Sequence, residues 1–307
     1  MTDKQSRIPT MKDHFKDTDN LSTIRDFIRW TISRFNEAEI TCGHGTDNTF
    51  DEAFGLILPL LHLPHDIPPA LFDSHLTEAE RDILRKAIER RVTERTPSAY
   101  ITRQMRFGNL FFYVDERVLI PRSPIGELIE NQFAPWIKED KVHQILDLCT
   151  GSGCIAIACA AAFPTATIDA SDISEDALAV AALNVTKHAM QDTVALLQSD
   201  LFDQLPKKKY DIIVSNPPYV GANDMASLPA EYRHEPSLAL AAGVDGLDIV
   251  KRILADAASY LSPHGILVVE VGNSETALME QYPDLPFTWV EFENGDGGVF
   301  LLQASEL

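Results

Sequence analysis

The sequence predicts an α/β protein: a seven-stranded, mostly parallel sheet with an antiparallel last strand, preceded by a helical domain and a bridging β-hairpin. Three observations predict it. From residue 142 onward, Val- and Ile-rich runs of strand length alternate with helical patterns, which means a parallel sheet covered on both faces. The last two runs, "FTWVEFEN" and "GVFLLQ", are joined only by "GDGG", too short for a crossover, so the final strand is antiparallel. Up to about residue 97 the apolar spacing is helical instead. The domain boundaries expected are 1–97 for the helical, substrate-recognising part, 98–122 for the hairpin and 123–307 for the sheet domain.

In order, Ile24, Phe27, Ile28, Ile32 and Phe35 repeat at helical spacing behind a capping box of Thr23 and Asp26. "FDEAFGLILPLLHL" reads as a second helix, bent or ended at Pro59. A third starts at a capping box in "TEAE" (Thr77 onward) and runs to just before Pro97, with "RKAIERR" as a solvated basic face. "AYITRQMRFGNLFFYVDERVLIPR" then alternates about a Gly-Asn turn, as a hairpin does. Strands are expected at "QILDLC", "ATIDASD", "VALLQSD", "YDIIVSN", "GILVVEV" and in the two C-terminal runs, with helices at 154–162, 174–190 and 246–261.

The 307 residues are 45% hydrophobic, enough for a large core. No run of about eighteen apolar residues could span a membrane, and the polar start "MTDKQSRIPTMKDHFKDTDN" has no signal-peptide core. A cytoplasmic protein is expected. Cys42, Cys149, Cys154 and Cys159 lack the His or thiol neighbours of a metal site and read as reduced thiols, so no metal is expected. The net charge of −20 is uneven: residues 1–141 hold 23 acids and 19 bases, net −4, and residues 142–307 hold 23 acids and 7 bases, net −16. The second half would be repelled by DNA and would suit a basic protein partner.

Two motifs carry chemistry. "ILDLCTGSGCIAIA" joins the first sheet strand to a helix through Gly151-Ser152-Gly153, a turn that brings backbone and a helix N-terminus up to a ligand. Asp172 ends the next strand, where an acid accepts ribose hydroxyls. This much also fits a dinucleotide site. Asp147, four residues before Gly151, could hold a cationic amino-acid moiety, and Asp200, ending the third strand, could contact an adenine. The second motif is "SNPPY". Asn216 closes the fourth strand, and Pro217 and Pro218 offer no backbone N–H. The Asn216 side-chain oxygen and the Pro217 carbonyl make a stiff pair of acceptors, and Tyr219 adds a flat face. That set suits a planar amino group whose two hydrogens are held while its nitrogen meets an electrophile; a sulfonium methyl fits the other half of the site.

"DLCTGSG", "SNPPYV" and "EPSLALAAGVDGL" resemble the protein-glutamine N(5)-methyltransferases, which use S-adenosylmethionine on a Rossmann-like fold, and the likeness extends over most of the chain. The resemblance implies that Asn216, Pro217, Pro218 and Tyr219 bind the target amide. It implies that Cys149, Thr150, Gly151, Ser152, Gly153 and Asp172 bind the cofactor, with Leu201 near the adenine. Release-factor enzymes typically carry Pro-Arg-Pro, an acid, Thr and Glu after the hairpin; here Pro121-Arg122-Ser123-Pro124-Ile125-Gly126-Glu127 stands instead. That stretch, with "GHGTDN", "YRHEP" and "EVGNS", is similar to the branch acting on the basic large-subunit ribosomal protein L-three. His234 and Glu235 are expected to brace the loop. The competing readings are a release-factor methyltransferase, a DNA adenine N6-methyltransferase, a nicotinamide dehydrogenase and a non-catalytic S-adenosylmethionine-binding module. Charge and the lack of a basic target-reading domain argue against DNA, and a dehydrogenase leaves the double proline unexplained.

Overall fold

Helix caps and apolar stripes in the first hundred residues produce a small helical core, and the strand–helix alternation behind it produces a sheet. The computed structural model describes residues 15–293 and 297–307. The expected absence of a signal sequence therefore falls largely on residues outside the described ones, as does half of the "GDGG" connection. The chain divides into two units, Met1–Thr102 and Arg103–Leu307. Among the described residues no helix is long and apolar enough to cross a membrane.

In the first unit, α1 (Ile24–Glu37) begins at the capping box: the Asp26 N–H donates to Thr23 Oγ1 at 3.1 Å, and Asp26 Oδ2 accepts the Thr23 N–H at 2.9 Å. Asn48 caps α2 (Thr49–Leu60), whose last turn contains Pro59. Thr77 and Glu80 form the second box, at the start of α3 (Glu78–Glu89). Phe27, Phe35, Leu56, Ile57, Leu84 and Ile88 are buried together between these helices. As expected, the helix continues past α3, here as a π-helical turn, Arg90–Glu94, that ends at Arg95 with φ +60°. Two other expectations fail. Arg91 in that turn is not solvated: it is 1% exposed and its Nε donates to Glu52 Oε1 at 2.7 Å. Residues 98–102, expected at the start of the hairpin, form a short helix, α4 (Ser98–Thr102). Pro97 preceding it supplies a helical φ, its carbonyl accepts the Tyr100 N–H at 3.0 Å, and Tyr100 is buried. A five-residue apolar run does not distinguish helix from strand until its burial is known.

In the second unit the hairpin is correspondingly shorter: β1 (Met105–Phe107) pairs antiparallel with β2 (Leu110–Phe112) about Gly108, φ +56°. A loop and α5 (Ile125–Glu130) lead into the main sheet. Its elements are β3 (Gln144–Leu148), α6 (Cys154–Ala162), β4 (Thr167–Asp172), α7 (Glu175–Lys187), β5 (Val194–Gln198) and β6 (Tyr210–Ser215). Then come α8 (Ala222–Ser227), α9 (Asp248–Tyr260), β7 (Leu261–Glu270), α10 (Glu275–Gln281), β8 (Thr288–Trp289) and β9 (Val299–Gln303). The spatial order is β5-β4-β3-β6-β7-β9-β8, with β9 antiparallel to both of its neighbours. Successive residues face opposite layers: Ile145, Ile212, Val214 and Ile266 join the core under α5 and α6, and Leu146, Ile213 and Leu267 the core under α9. Burying each such side chain contributes about 1.5–3 kcal/mol. The expected eight-residue strand "FTWVEFEN" shrinks to Thr288–Trp289, extended by a Val290–Val299 hydrogen bond of 2.9 Å. Beyond it the Glu293 N–H turns to Glu127 Oε1 at 3.0 Å instead of a strand partner.

The strand order reverses between β3 and β6. Open α/β sheets bind ligands outside the C-terminal ends of strands at such a point.

Candidate active site

The end of β3 turns sharply. Cys149 sits at φ +59°, Gly151 at +54° and Gly153 at +79°. A non-glycine residue there is uncommon and costs of order 1–3 kcal/mol, so the surroundings must hold it. They do: the Thr150 N–H donates to Ser171 O on β4 at 2.9 Å, and the Gly151 N–H to Asp172 Oδ2 at 2.9 Å. The other Asp172 oxygen accepts the Ser174 N–H at 2.9 Å, beside the cap of α7. Burial raises the Asp172 pKa against these backbone donors. The two glycines do different work. A Cβ on Gly153 would lie 3.2 Å from Ala181 Cβ, so Gly153 lets α6 approach α7, whereas a Cβ on Gly151 would meet nothing within 4 Å.

That open space belongs to a cavity of about 230 Å³ lined by Cys149, Thr150, Gly151, Ser152, Asp172, Asp200, Leu201, Asn216 and Pro218. The structure thus gathers most of the residues singled out in the sequence. Leu201 is a second non-glycine residue at positive φ, +51°, again at a strand's C-terminal side. Asp200 carries an ion pair with Arg252 Nη1 at 2.9 Å, leaving only part of its carboxylate for a ligand.

Asp147 does not line the cavity, contrary to expectation. It is fully buried behind the turn, and its Oδ2 accepts the Thr150 hydroxyl and, at 3.1 Å, the Ala156 N–H. Its Oδ1 has no hydrogen-bond partner among the described residues. Burial pushes its pKa up to about 7, against the pull of those two donors. In register Asp147 lies beside the buried Ala170, two residues short of Asp172, so its side chain stays within the core layer, a distinction that spacing from the glycines does not show. Gly153, Pro217 and Tyr219 are likewise not part of the lining.

The Asn-Pro-Pro-Tyr loop leaves β6 beside the turn. Among the described residues none hydrogen-bonds the Asn216 side chain, which lines the cavity, while Pro217 is buried. Tyr219 gives its hydroxyl to Glu270 Oε1 at 2.8 Å. Its ring lies against Gly272, where a Cβ would come within 2.7 Å of Tyr219 Cε2. Val220 pairs with the "LALAAG" segment: its N–H donates to Leu240 O at 2.8 Å and its carbonyl accepts the Ala242 N–H at 3.0 Å. Gly246, at φ +77°, fits under the Tyr219 carbonyl, where a Cβ would be 2.3 Å away. "EPSLALAAGVDGL" is therefore the bed of the loop. Glu235 braces the opposite wall, accepting Arg122 Nη1 and Nη2 at 2.6 and 2.9 Å and the Ile120 N–H at 2.9 Å.

Sequence reasoning missed that wall. Arg117, Arg122 and Ser123 line the cavity, as do the exposed Ile173 and Leu238. Asp115 holds Arg117 in a two-pronged pair at 2.9 and 2.7 Å, and its own pKa falls to about 2 chiefly through that contact. Asn184 on α7 ties wall to turn, since its Nδ2 donates to both Tyr113 O and Ser152 O at 2.9 Å. The "DERVLIPR" stretch was a visible signal, but nothing local says that it folds back over the glycine turn.

Among the described residues no group of three or more His, Cys, Asp or Glu is placed to hold a metal ion. The buried thiols are raised, Cys154 to about 12. The cavity fits a nucleoside with a polar tail: open space at Gly151, a carboxylate for hydroxyls at Asp172 and apolar faces at Ile155, Ile173 and Leu201. S-adenosylmethionine has that build.

Comparison with known proteins agrees. Residues 131–230 match the methyltransferase small domain family. The chain is 51% identical over 288 residues to "Ribosomal protein uL3 glutamine methyltransferase" of Neisseria gonorrhoeae, covering 94% of this chain and 96% of that protein. To the protein of the same name from Francisella tularensis it is 50% identical over 289 residues, covering 94% and 92%. With this identity along nearly its whole length, the chain belongs to the ribosomal protein uL3 glutamine methyltransferases.

Proposed function

We propose that this methyltransferase modifies the side-chain amide nitrogen of a glutamine in ribosomal protein uL3, and that Asn216 and the Pro217 carbonyl hold that amide. The observation that carries the reading is the Asn216 carboxamide, which lines the cavity at the switch point with no hydrogen-bond partner among the described residues. S-adenosylmethionine supplies an electrophilic methyl group on a sulfonium centre. The chain's residues do the rest. Gly151 and Asp172 seat the nucleoside, with Thr150, Ser152, Asp200 and Leu201 around it. Asn216 and Pro217 accept the two amide hydrogens, which opposes delocalisation of the nitrogen lone pair into the carbonyl. Amide resonance is worth a rotation barrier of about 18–20 kcal/mol, so a free amide is a poor nucleophile. Alignment of the two reactants contributes on the order of 7–11 kcal/mol. No side-chain base is needed first, because the nitrogen's proton becomes acidic as its lone pair is committed. Pro218 and Tyr219 stiffen the acceptor pair.

The relatives' names support uL3 as the partner. The net −16 of residues 142–307 supports it too, favouring a basic protein over nucleic acid and steering it at low salt. A ribosomal protein as substrate supports a cytoplasmic location. The helical unit would select the partner. Labelled S-adenosylmethionine offered to purified uL3 and, separately, to release factors tests the reading, with mass spectrometry locating the methyl group. Label on a uL3 glutamine is expected. Label on release factors alone would overturn the assignment.

A further inference from the structure

We propose that Glu270 is a positioning residue that aims the Asn-Pro-Pro-Tyr loop at the cavity through two hydroxyls, those of Tyr219 and Ser123; this rests on the reading of the loop given above. Glu270 ends β7 and is 5% exposed. One carboxylate oxygen accepts the Tyr219 hydroxyl at 2.8 Å and the other accepts the Ser123 hydroxyl. Ser123 in turn lines the cavity and accepts the Ile125 N–H at 3.2 Å, where α5 begins. One buried carboxylate thus joins the cavity wall, the end of a central strand and the loop.

The need for such a device follows from Asn216. Among the described residues no hydrogen bond orients its side chain, so its direction is inherited from its backbone. Pro217 and Pro218 have fixed φ, so the loop moves as a unit and its far end, Tyr219, sets its angle. Tyr219 is pinned at its hydroxyl by Glu270, at its ring by Gly272 and at its carbonyl by Ser274 Oγ at 3.2 Å. Only the first of these contacts reaches the wall opposite the loop. Hydroxyl donors to a carboxylate are short and directional and bring no charge of their own. Burial raises the Glu270 pKa, and the two hydroxyls and the Arg122 charge pull the other way.

Tyr219→Phe and Ser123→Ala each remove one oxygen and keep the rest of the side chain's shape. Turnover of purified uL3, KM for uL3, S-adenosylmethionine affinity by titration and the melting temperature are measured for each, for the double variant and for Ser123→Thr. Each single change is expected to lower kcat about tenfold, since a small misplacement of reacting groups can cost about 10²-fold. Cofactor affinity should stay within about twofold. The double variant should be no more than about twofold worse than the worse single one, because both act through one carboxylate. Ser123→Thr, which restores the hydroxyl, should recover most of the loss. Wild-type kcat in Tyr219→Phe, losses that multiply, or losses matched by cofactor affinity or melting temperature would overturn the proposal. Asn216→Ala separates the two levels. If it transfers methyl normally the loop reading itself fails, whereas a dead Asn216→Ala beside a fully active Tyr219→Phe removes only the role of Glu270.

Discussion

Two buried carboxylates, one in each unit, are treated in opposite ways. Glu52 in the helical unit is saturated: Oε1 accepts Arg91 Nε at 2.7 Å and Ser98 Oγ at 2.8 Å, and Oε2 accepts Thr46 Oγ1 at 2.7 Å. Burial alone would raise its pKa, but the Arg91 charge and these hydrogen bonds outweigh it and hold the carboxyl below its usual value. Asp147 in the sheet unit has no cation, one bare oxygen and a pKa of about 7. Around Glu52 the helical unit closes its polar groups on one another, although Thr31 Oγ1 and Arg81 Nε elsewhere in it are buried without a hydrogen-bond partner among the described residues. Among the described residues the sheet unit leaves polar groups open along one edge: Asn216 without a side-chain partner, Asp172 tied only to backbone amides and the Asp147 carboxyl short of donors. The opposite edge is closed, since Asp211 accepts the N–H groups of His143 and Gln144 at 2.9 and 3.1 Å and the Ser262 hydroxyl at 2.8 Å. Unmet hydrogen-bonding capacity gathered at one edge of a sheet is what a ligand site looks like before its ligand arrives.

The largest effect should come from breaking the closed side. Arg91→Ala leaves Glu52 buried without its cation and should cost about 3–5 kcal/mol of stability in denaturant titration. The pH dependence has a definite sign. Because Glu52 is depressed in the fold, its contribution is present above the unfolded carboxyl pKa and is lost as pH falls through the lower, folded value. Acid should therefore destabilise the wild type more than a Glu52→Gln variant.

On the open side, Asn216→Ala should leave stability and cofactor affinity unchanged and lower methyl transfer about 10²–10³-fold, the scale of losing one aligned polar contact to a reacting group. Unaltered single-turnover rates would break the comparison, because Asn216 would then be spare rather than waiting for substrate. Asp147→Asn probes the intermediate case. A carboxyl raised from 3.8 to about 7 costs the fold progressively more as pH rises between those values and a constant amount above them. The stability of Asp147→Asn relative to wild type should accordingly improve from pH 4 to pH 7, by of order 2 kcal/mol once structural relaxation softens the buried charge. A flat difference would mean that Asp147 is ionised and solvated after all. Smallest, Thr77→Ala removes one half of an exposed capping box and should cost about 1 kcal/mol with no change in turnover.

Sequence alone settled much of this protein, for reasons that are local. Capping boxes at Thr23 and Thr77, the period-two strands of the sheet, the glycine turn and the short link before β9 are all made by residues near one another in the chain. The position of Asn216 at a strand's C-terminal end was legible for the same cause. Tertiary structure decided what depends on distant partners. Ser98–Thr102 became helix because Tyr100 is buried, and "FTWVEFEN" lost most of its strand as Glu293 found Glu127. Asp147 turned inward while Asp172, also near a strand end, reached the cavity edge. Arg117, Arg122, Ser123 and Glu270 joined the site across up to 147 residues of separation. Spacing reports which backbone torsions and which face a residue takes; only the closed fold determines which groups a side chain meets there, since those contacts are set by the packing of segments far apart in the chain.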